Sequence, residues 1–347
     1  MRNAPEKKSA PEKSVVAIET LLGRTEQTLQ SAGVAHDVAS QVAAVLADAE
    51  ARGISSHGLV RLPSYVARVR AGLIDAIAVP KVITHDGACI LIDGRNAFGA
   101  VVADFAMRQA EEQVRSTGVA WAVSTNANHL GAIGYYVRKL ARRGLVALMW
   151  CNAAPSVAAY NGRRPILGTN PVALAAPRMP DPIVLDMATS AAARGRIRRA
   201  ATEGRSIPMD WAIDSGGKPT ADPASALAGA LLPLGGPKGY GLSVFVDLLS
   251  GVLGGGASLD QVFETTEITQ PASIAFTLVV VDPFRLTSRE RYSAAIEDFV
   301  SRLKASGDGQ VLLPGEREDI AYARARTSGV PVATDIMRQF EETSVGA

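Results

Sequence analysis

The chain has 347 residues, 47% of them hydrophobic, with a net charge of +2 at pH 7 and only 5% aromatics. That hydrophobic share supports a sizeable core and excludes general disorder. The small net charge gives no case for nucleic acid or a membrane surface, and the sparse aromatics leave little for base stacking. No run reaches the apolar length that crosses a bilayer. Cys89 and Cys151 lie far apart in apolar runs and read as buried free thiols of a cytoplasmic protein. The histidines, His36, His57, His85 and His129, have no close pairing or cysteine neighbour, so no dedicated metal site is expected.

Residues 1–14 are polar, carry Pro5 and Pro11 and lack an apolar segment. They read as a disordered tail rather than a secretory signal. Helical spacing follows over 15–32, 38–52 and 62–73. The pattern then turns to strands at 81–84 and 88–92, broken by Asp86-Gly87, a hairpin signal. A helix over 98–116, a strand over 118–124, a helix over 133–143 and an apolar strand over 145–151 come next. A loop-rich span leads to a short strand at 183–185 and a possible helix over 191–201; residues 208–223 read as loop and hairpin. An apolar helix over 239–251, a strand over 274–281, a helix over 288–305 and further helical segments complete the chain. No repeat is visible. The expected fold class is α/β: a mixed-sheet domain over 76–286 and a helical domain built from both termini, 15–75 plus 287–347.

Arg52-Gly53-Ile54-Ser55-Ser56-His57-Gly58-Leu59-Val60-Arg61-Leu62-Pro63 joins two of those helices. Gly53 suits a helix end and Pro63 a first turn. The connector places an imidazole, which exchanges protons near neutrality, four residues from a guanidinium, which grips carboxylates. A small carboxylic acid undergoing proton-coupled chemistry fits that pair; ordinary helix-end partners fit it too.

Four further loops carry chemistry. Asn128 and His129 precede a helix, with Gly131 and Gly134 allowing close ligand approach; an ordinary helix cap is the alternative. Thr169 and Asn170 form a polar turn that can bind a ligand or merely turn the chain. Asp186 ends an apolar strand and can hold ribose hydroxyls, orient a histidine or cap a helix. Lys238 follows Gly235-Gly236-Pro237 at a helix start, a phosphate or carboxylate site that is not a P-loop. Arg194, Arg196, Arg198 and Arg199 cluster on a solvated face or grip a nucleotide phosphate. The dinucleotide fingerprint Gly-x-Gly-x-x-Gly after a strand is missing, so a Rossmann assignment fails on its own motif.

Six blocks in order, ADAEARGISSHGLVRLPSYVARVRAG (47–72), HLGAIGYY (129–136), ILGTNPVALAAP (166–177), VLDMATSAAARGRI (184–197), GGPKGYGLSVFVDLLSGVLGG (235–255) and LPGERE (313–318), resemble the type-2 malate/L-lactate dehydrogenase family. That family includes ureidoglycolate dehydrogenase, diketogulonate reductase, sulfolactate dehydrogenase and piperideine/pyrroline-2-carboxylate reductase branches. The resemblance implies a non-Rossmann NAD(P)-binding fold in a homodimer. It also implies reversible reduction of a small 2-oxo carboxylate to a 2-hydroxy acid, with a cyclic imino acid as the alternative substrate. Residue by residue, it implies that Ser56 and His57 relay and donate a proton, that Arg61 anchors the carboxylate, and that Thr169 touches substrate. His129 matches a proton acceptor of the ureidoglycolate branch. His129, Leu130, Gly131, Ala132, Asp186, Met187, Ala188, Lys238, Pro314, Gly315, Glu316 and Arg317 match cofactor contacts. NAD and NADP both fit, and the arginine cluster tilts the reading to NADP. Two departures stand out: the acid that follows the DMATS block in some relatives is replaced by Ala-Arg-Gly-Arg-Ile, and the segment between Gly256 and Ile274 is short.

Overall fold

The computed structural model describes residues 13–334 and 336–338. In chain order its elements are β1 (Lys13–Val16), α1 (Ile18–Ser31), α2 (His36–Ala51), two tight turns of 3-10 helix (Ser55–His57 and Leu59–Arg61), α3 (Leu62–Arg70), β2 (Lys81–Asp86), β3 (Cys89–Asp93), α4 (Gly99–Thr117), β4 (Val119–Ala127), α5 (Gly134–Arg142) and β5 (Val146–Cys151). There follow β6 (Val157–Ala158), β7 (Pro165–Leu167), β8 (Val172–Ala176), β9 (Ile183–Met187), α6 (Arg194–Thr202), β10 (Ala212–Ile213), α7 (Pro223–Ala228), β11 (Ala230–Leu231) and α8 (Pro237–Asp247). The chain finishes with β12 (Ile274–Val281), α9 (Arg289–Ala305), α10 (Glu316–Ser328) and β13 (Val330–Ala333).

The strand Ile-Ala-Phe-Thr-Leu-Val-Val-Val of β12 shows why the main sheet forms where it does. A strand covered on both faces reads as a continuous apolar run instead of an alternating one. All its residues except the last are buried. It is the middle strand of seven, in the order β2-β3-β4-β12-β5-β8-β9. β3 and β4 pair in parallel across the α4 crossover; every other pair in this sheet is antiparallel. The fold is therefore mixed α/β, with one face of the sheet packed by α4 and α5. Ala147, Met149 and Cys151 of β5 share one continuous buried cluster with Val102 and Met107 of α4, Leu140 of α5 and Leu21, Leu46 and Leu62 of the first three helices.

A second cluster, including Val157, Leu167, Ile197, Ala212 and Leu231, lies under a separate small sheet in the order β10-β11-β6-β7, with α6 and α7. The C-terminal end returns to the first helices. The buried Arg52, just past the end of α2, bonds Asp48 at 2.9 Å and Asp319 of α10 at 2.6 Å, and its guanidinium lies over the Tyr322 ring.

Several expectations change. Lys13 and Ser14, read as tail, belong to β1, which pairs with β13 through Lys13↔Ala333 to Val16↔Val330; residues 1–12 of that tail lie outside the described residues. The first helix accordingly starts at Ile18, because Ala17 is extended. The loop-rich span after β5 holds β6, β7 and β8, strands too short to carry a periodicity. Cys89 is exposed on the β2/β3 hairpin, whereas Cys151 is buried as expected. Among the described residues no helix is long and apolar enough to cross a membrane.

Candidate active site

The connector between α2 and α3 is shaped by Glu50, which stands one turn beyond Val42 and Leu46 on the apolar side of α2. Its carboxylate, buried in the protein, accepts the Leu59 N–H at 3.0 Å. Gly58 allows this approach, since a Cβ there would lie 2.1 Å from Glu50 Oε2. The connector backbone is thereby fixed, and Ser56, His57 and Arg61 project together. Ser56 Oγ lies 2.9 Å from His57 Nδ1, and Arg61 Nε donates to the Ser56 carbonyl at 2.8 Å. That bond orients the guanidinium and leaves its two outer nitrogens free of it. Gly58→Ala should push Glu50 off the Leu59 amide and misplace the imidazole. The expected result is a fall in kcat/KM on the order of 10- to 100-fold at unchanged far-UV circular dichroism; wild-type kinetics would show that the connector tolerates the shift.

The loop from β4 to α5 brings the second imidazole. The rings of His57 and His129 stack with centroids 5.5 Å apart and an 18° interplanar angle. His129 Nδ1 accepts the Gly131 N–H at 3.3 Å and lies 2.7 Å from the Tyr65 hydroxyl. A nitrogen that accepts a backbone N–H carries no proton, so Tyr65 donates and the neutral ring holds its hydrogen on Nε2. Burial, then Arg61 and His57, hold His129 well below the ordinary imidazole value. Burial, reinforced by Arg61, lowers His57 to about 4. Both rings are therefore neutral at pH 7, beside a permanent positive charge.

The remaining motifs are tied to one another by hydrogen bonds around the end of β9. Asp186, at the end of β9, accepts the Gly134 N–H at 2.8 Å and so caps α5 from another element. Asp186 is exposed as a residue, yet burial raises its carboxyl to about 6 against the pull of the Gly134 bond. Leu130 and Ala132 are buried. Met187 and Ala188 are half-buried. The Pro314 carbonyl accepts the Val184 N–H at 3.1 Å, and Gly315, at φ +83°, packs on the Val184 carbonyl; this seats the turn before α10 against β9. Glu316 is already engaged by Lys304 Nζ at 2.5 Å and the Leu313 N–H at 2.7 Å, while Arg317 is exposed. The Thr169 carbonyl takes both the N–H and the hydroxyl of Thr189, and the Thr189 carbonyl takes the Leu234 N–H. Lys238, exposed in the first turn of α8, joins the same series of loops through Gly235 and Gly236, both left-handed.

Two expectations are corrected by these contacts. Asn128 caps no helix; its amide donates to the carbonyls of Asn96 and Ala97. Asn170 is no ligand contact, because it is fully buried and bonded to Ala153, Ser243 and Asp247. Tyr65 and Glu50 are the residues that sequence reading missed. A tyrosine hydroxyl on an otherwise apolar helix face needs a buried partner, and a carboxylate in the row Val42, Leu46, Glu50 interrupts an apolar stripe; both signals were present.

The structure thus brings together two neutral imidazoles and a guanidinium, while Asp186 is linked to the His129 loop through Gly134 and the helix start carrying Lys238 is linked to the end of β9 through Thr189. Comparison with known proteins identifies the setting. The malate/L-lactate dehydrogenase family model matches residues 16–341. The L-sulfolactate dehydrogenase of Methanothermobacter thermautotrophicus is 37% identical over 315 residues, covering 91% of this chain and 92% of that protein. The Delta(1)-pyrroline-2-carboxylate/Delta(1)-piperideine-2-carboxylate reductase of Pseudomonas syringae pv. tomato is 35% identical, covering 89% and 91%. The solved sulfolactate dehydrogenase of Methanocaldococcus jannaschii superposes with a TM-score of 0.91 at 31% identity, covering 96% of this chain and 97% of that one. The chain belongs to the malate/L-lactate dehydrogenase family and is a dehydrogenase of that type.

Proposed function

We propose that this enzyme reversibly reduces a small 2-oxo carboxylate of the malate, lactate or sulfolactate type to its 2-hydroxy acid with NADH or NADPH. The observation that carries the reading is the stacked His57–His129 pair beside the Arg61 guanidinium. The residues fit a dinucleotide. Asp186 is an accessible acceptor for ribose hydroxyls, and the Gly235-Gly236 turn with Lys238 opens a helix of 11 residues, whose start favours phosphate. The predominance of antiparallel pairs in the main sheet supports a nucleotide site outside the Rossmann architecture. We read the helices of both termini as the platform for His57 and Arg61, and the mixed sheet as the dinucleotide side.

A bound reduced nicotinamide supplies the hydride to C2. Arg61 grips the substrate carboxylate with its outer nitrogens. The His129 Nε2–H donates to the substrate oxygen, its tautomer held by Gly131 and Tyr65. His57 gives its proton to that oxygen as the carbonyl becomes a hydroxyl, and takes it back in the reverse direction. Ser56, exposed and bonded to His57, passes the proton to and from water. A carboxylate on Arg61 offsets the charge that depresses His57, so binding readies the acid.

The test is loss of reduced-nicotinamide absorbance with both cofactors over pyruvate, oxaloacetate, 3-sulfopyruvate and piperideine-2-carboxylate; the last probes the imine reading that the reductase relative supports. Arg61→Ala is expected to raise KM on the order of 10- to 100-fold with a smaller change in kcat. Inertness toward the whole panel overturns the reading. We also propose a homodimer. Leu242, Phe245, Leu248, Val252 and Leu253, along α8 and the turn after it, form an apolar row each at least 42% exposed, a surface that a second copy would cover.

A further inference from the structure

Helix α6 does not present its arginines evenly to solvent. Arg194, Gly195 and Arg198 share one side of the helix, while Ile197 and Ala200 are buried in the second core. That polar side faces the connector: a Cβ on Gly195 would lie 3.9 Å from the Ser56 Cβ. Gly195 thus brings α6 to within van der Waals reach of the connector at Ser56. Arg194 is held by the Leu227 carbonyl at 3.2 Å and by Glu264 at 3.9 Å, so its charge is partly balanced. Glu264 lies in a segment that the buried Arg68 of α3 ties down through the carbonyls of Glu264, Glu267 and Gln270. Arg199, by contrast, turns aside to Glu203 at 2.7 Å.

Arg198 has no carboxylate partner among the described residues. It lies one turn beyond Gly195, toward the side of α6 that faces the connector. Arg61 feels it: after burial and the compensating influence of Tyr65 and Glu264, the charge of Arg198 lowers the Arg61 guanidinium further. Two cations therefore act on one region beside the connector, and like charges so placed favour an anion near both.

We propose that Arg198 is a specificity-determining residue that grips a second acidic group, a carboxylate or sulfonate on the carbon next to the keto group, while Arg61 grips the first. This rests on the dehydrogenase reading above and narrows its substrate to dianionic 2-oxo acids. A monoanion leaves Arg198 without a partner; a dianion satisfies both guanidinium groups.

The test compares kcat/KM for oxaloacetate and 3-sulfopyruvate with that for pyruvate in wild type, Arg198→Gln, Arg198→Lys and Arg199→Gln. The dianion-to-monoanion ratio is expected to fall about 10- to 100-fold in Arg198→Gln, to recover in part in Arg198→Lys, and to stay at the wild-type value in Arg199→Gln. The two dianions separate carboxylate from sulfonate recognition. An unchanged ratio in Arg198→Gln, or an equal fall in Arg199→Gln, overturns the assignment. Calorimetric titration with malonate and with oxamate reads the same contrast without turnover. If every 2-oxo acid is inert, the dehydrogenase reading fails, and a malonate-selective loss of binding in Arg198→Gln still supports the anion site; equal malonate binding in wild type and variant overturns it.

Discussion

His57→Ala is expected to lower kcat by about 10²–10⁴-fold, the share that a placed general acid supplies. The wild-type pH profile carries the sharper signature. Burial and then Arg61 lower His57 to about 4, so above that value the free enzyme holds it mostly neutral. Oxidation of the hydroxy acid needs the neutral ring. Its kcat/KM should stay flat from neutrality down to roughly pH 5 and fall only as the ring gains its proton. Reduction needs the protonated ring, so its kcat/KM should fall about tenfold per pH unit above the pKa. Arg61→Gln removes the lesser of the two causes and should move both breaks upward, partway to the ordinary imidazole value. His57→Ala should abolish both breaks. A wild-type profile breaking at the ordinary imidazole value, or a His57→Ala enzyme with undiminished turnover, would assign the proton to another group.

Asn170→Ala is expected to cost roughly 3–5 kcal/mol of stability, the range for breaking a buried charged network. Asn170 is fully buried and left-handed, at φ +36°. Its oxygen accepts the Ala153 N–H at 3.1 Å; its nitrogen donates to the Ser243 carbonyl at 3.0 Å and to Asp247 at 2.9 Å. The Asp247 carboxyl is raised by burial and held down by Asn170, the Leu259 amide and Asn152. Alanine removes the first of those restraints, orphans the Ala153 N–H and retains a strained backbone. The raised carboxyl sets the sign of the pH effect. A folded-state value above the unfolded one adds stability at acid pH, which is lost as pH rises through the folded value. Removing Asn170 raises Asp247 further, so the deficit should be full at neutral pH and narrow as pH falls toward the ordinary carboxylate range. Urea midpoints across pH measure this; a deficit independent of pH would separate the loss from Asp247.

How much of this was legible depends on how far apart in sequence the partners stand. The Ser56-His57-Arg61 group is local: a helix end, a glycine and a proline frame it, and four-residue spacing places its charges. The apolar run of β12 and the hairpin at Asp86-Gly87 are equally local, and both stand where the residues put them. The partnership of Tyr65 with His129 is not local, because nothing near Tyr65 says where its hydroxyl aims. Asn128 and Asn170 look like loop ligands because composition cannot tell a polar side chain that meets water from one locked inside. The strands β6 and β11 form a parallel pair far apart in the chain and are only two residues each, too short for any alternation. The solvated reading of the arginine cluster holds for Arg199 and fails for Arg194, whose environment is set by Glu264 on a distant segment.

The ribbon of β1 and β13 has a consequence during synthesis. Lys13–Val16 is made long before Val330–Ala333, its only strand partner among the described residues. The faces of α2 that meet α10 and β13 must wait as long, so the nascent chain carries exposed apolar surface until those later segments emerge. Packing of the first helices is thus completed only when β13 and α10 arrive, and chaperones have a long opportunity at those helices.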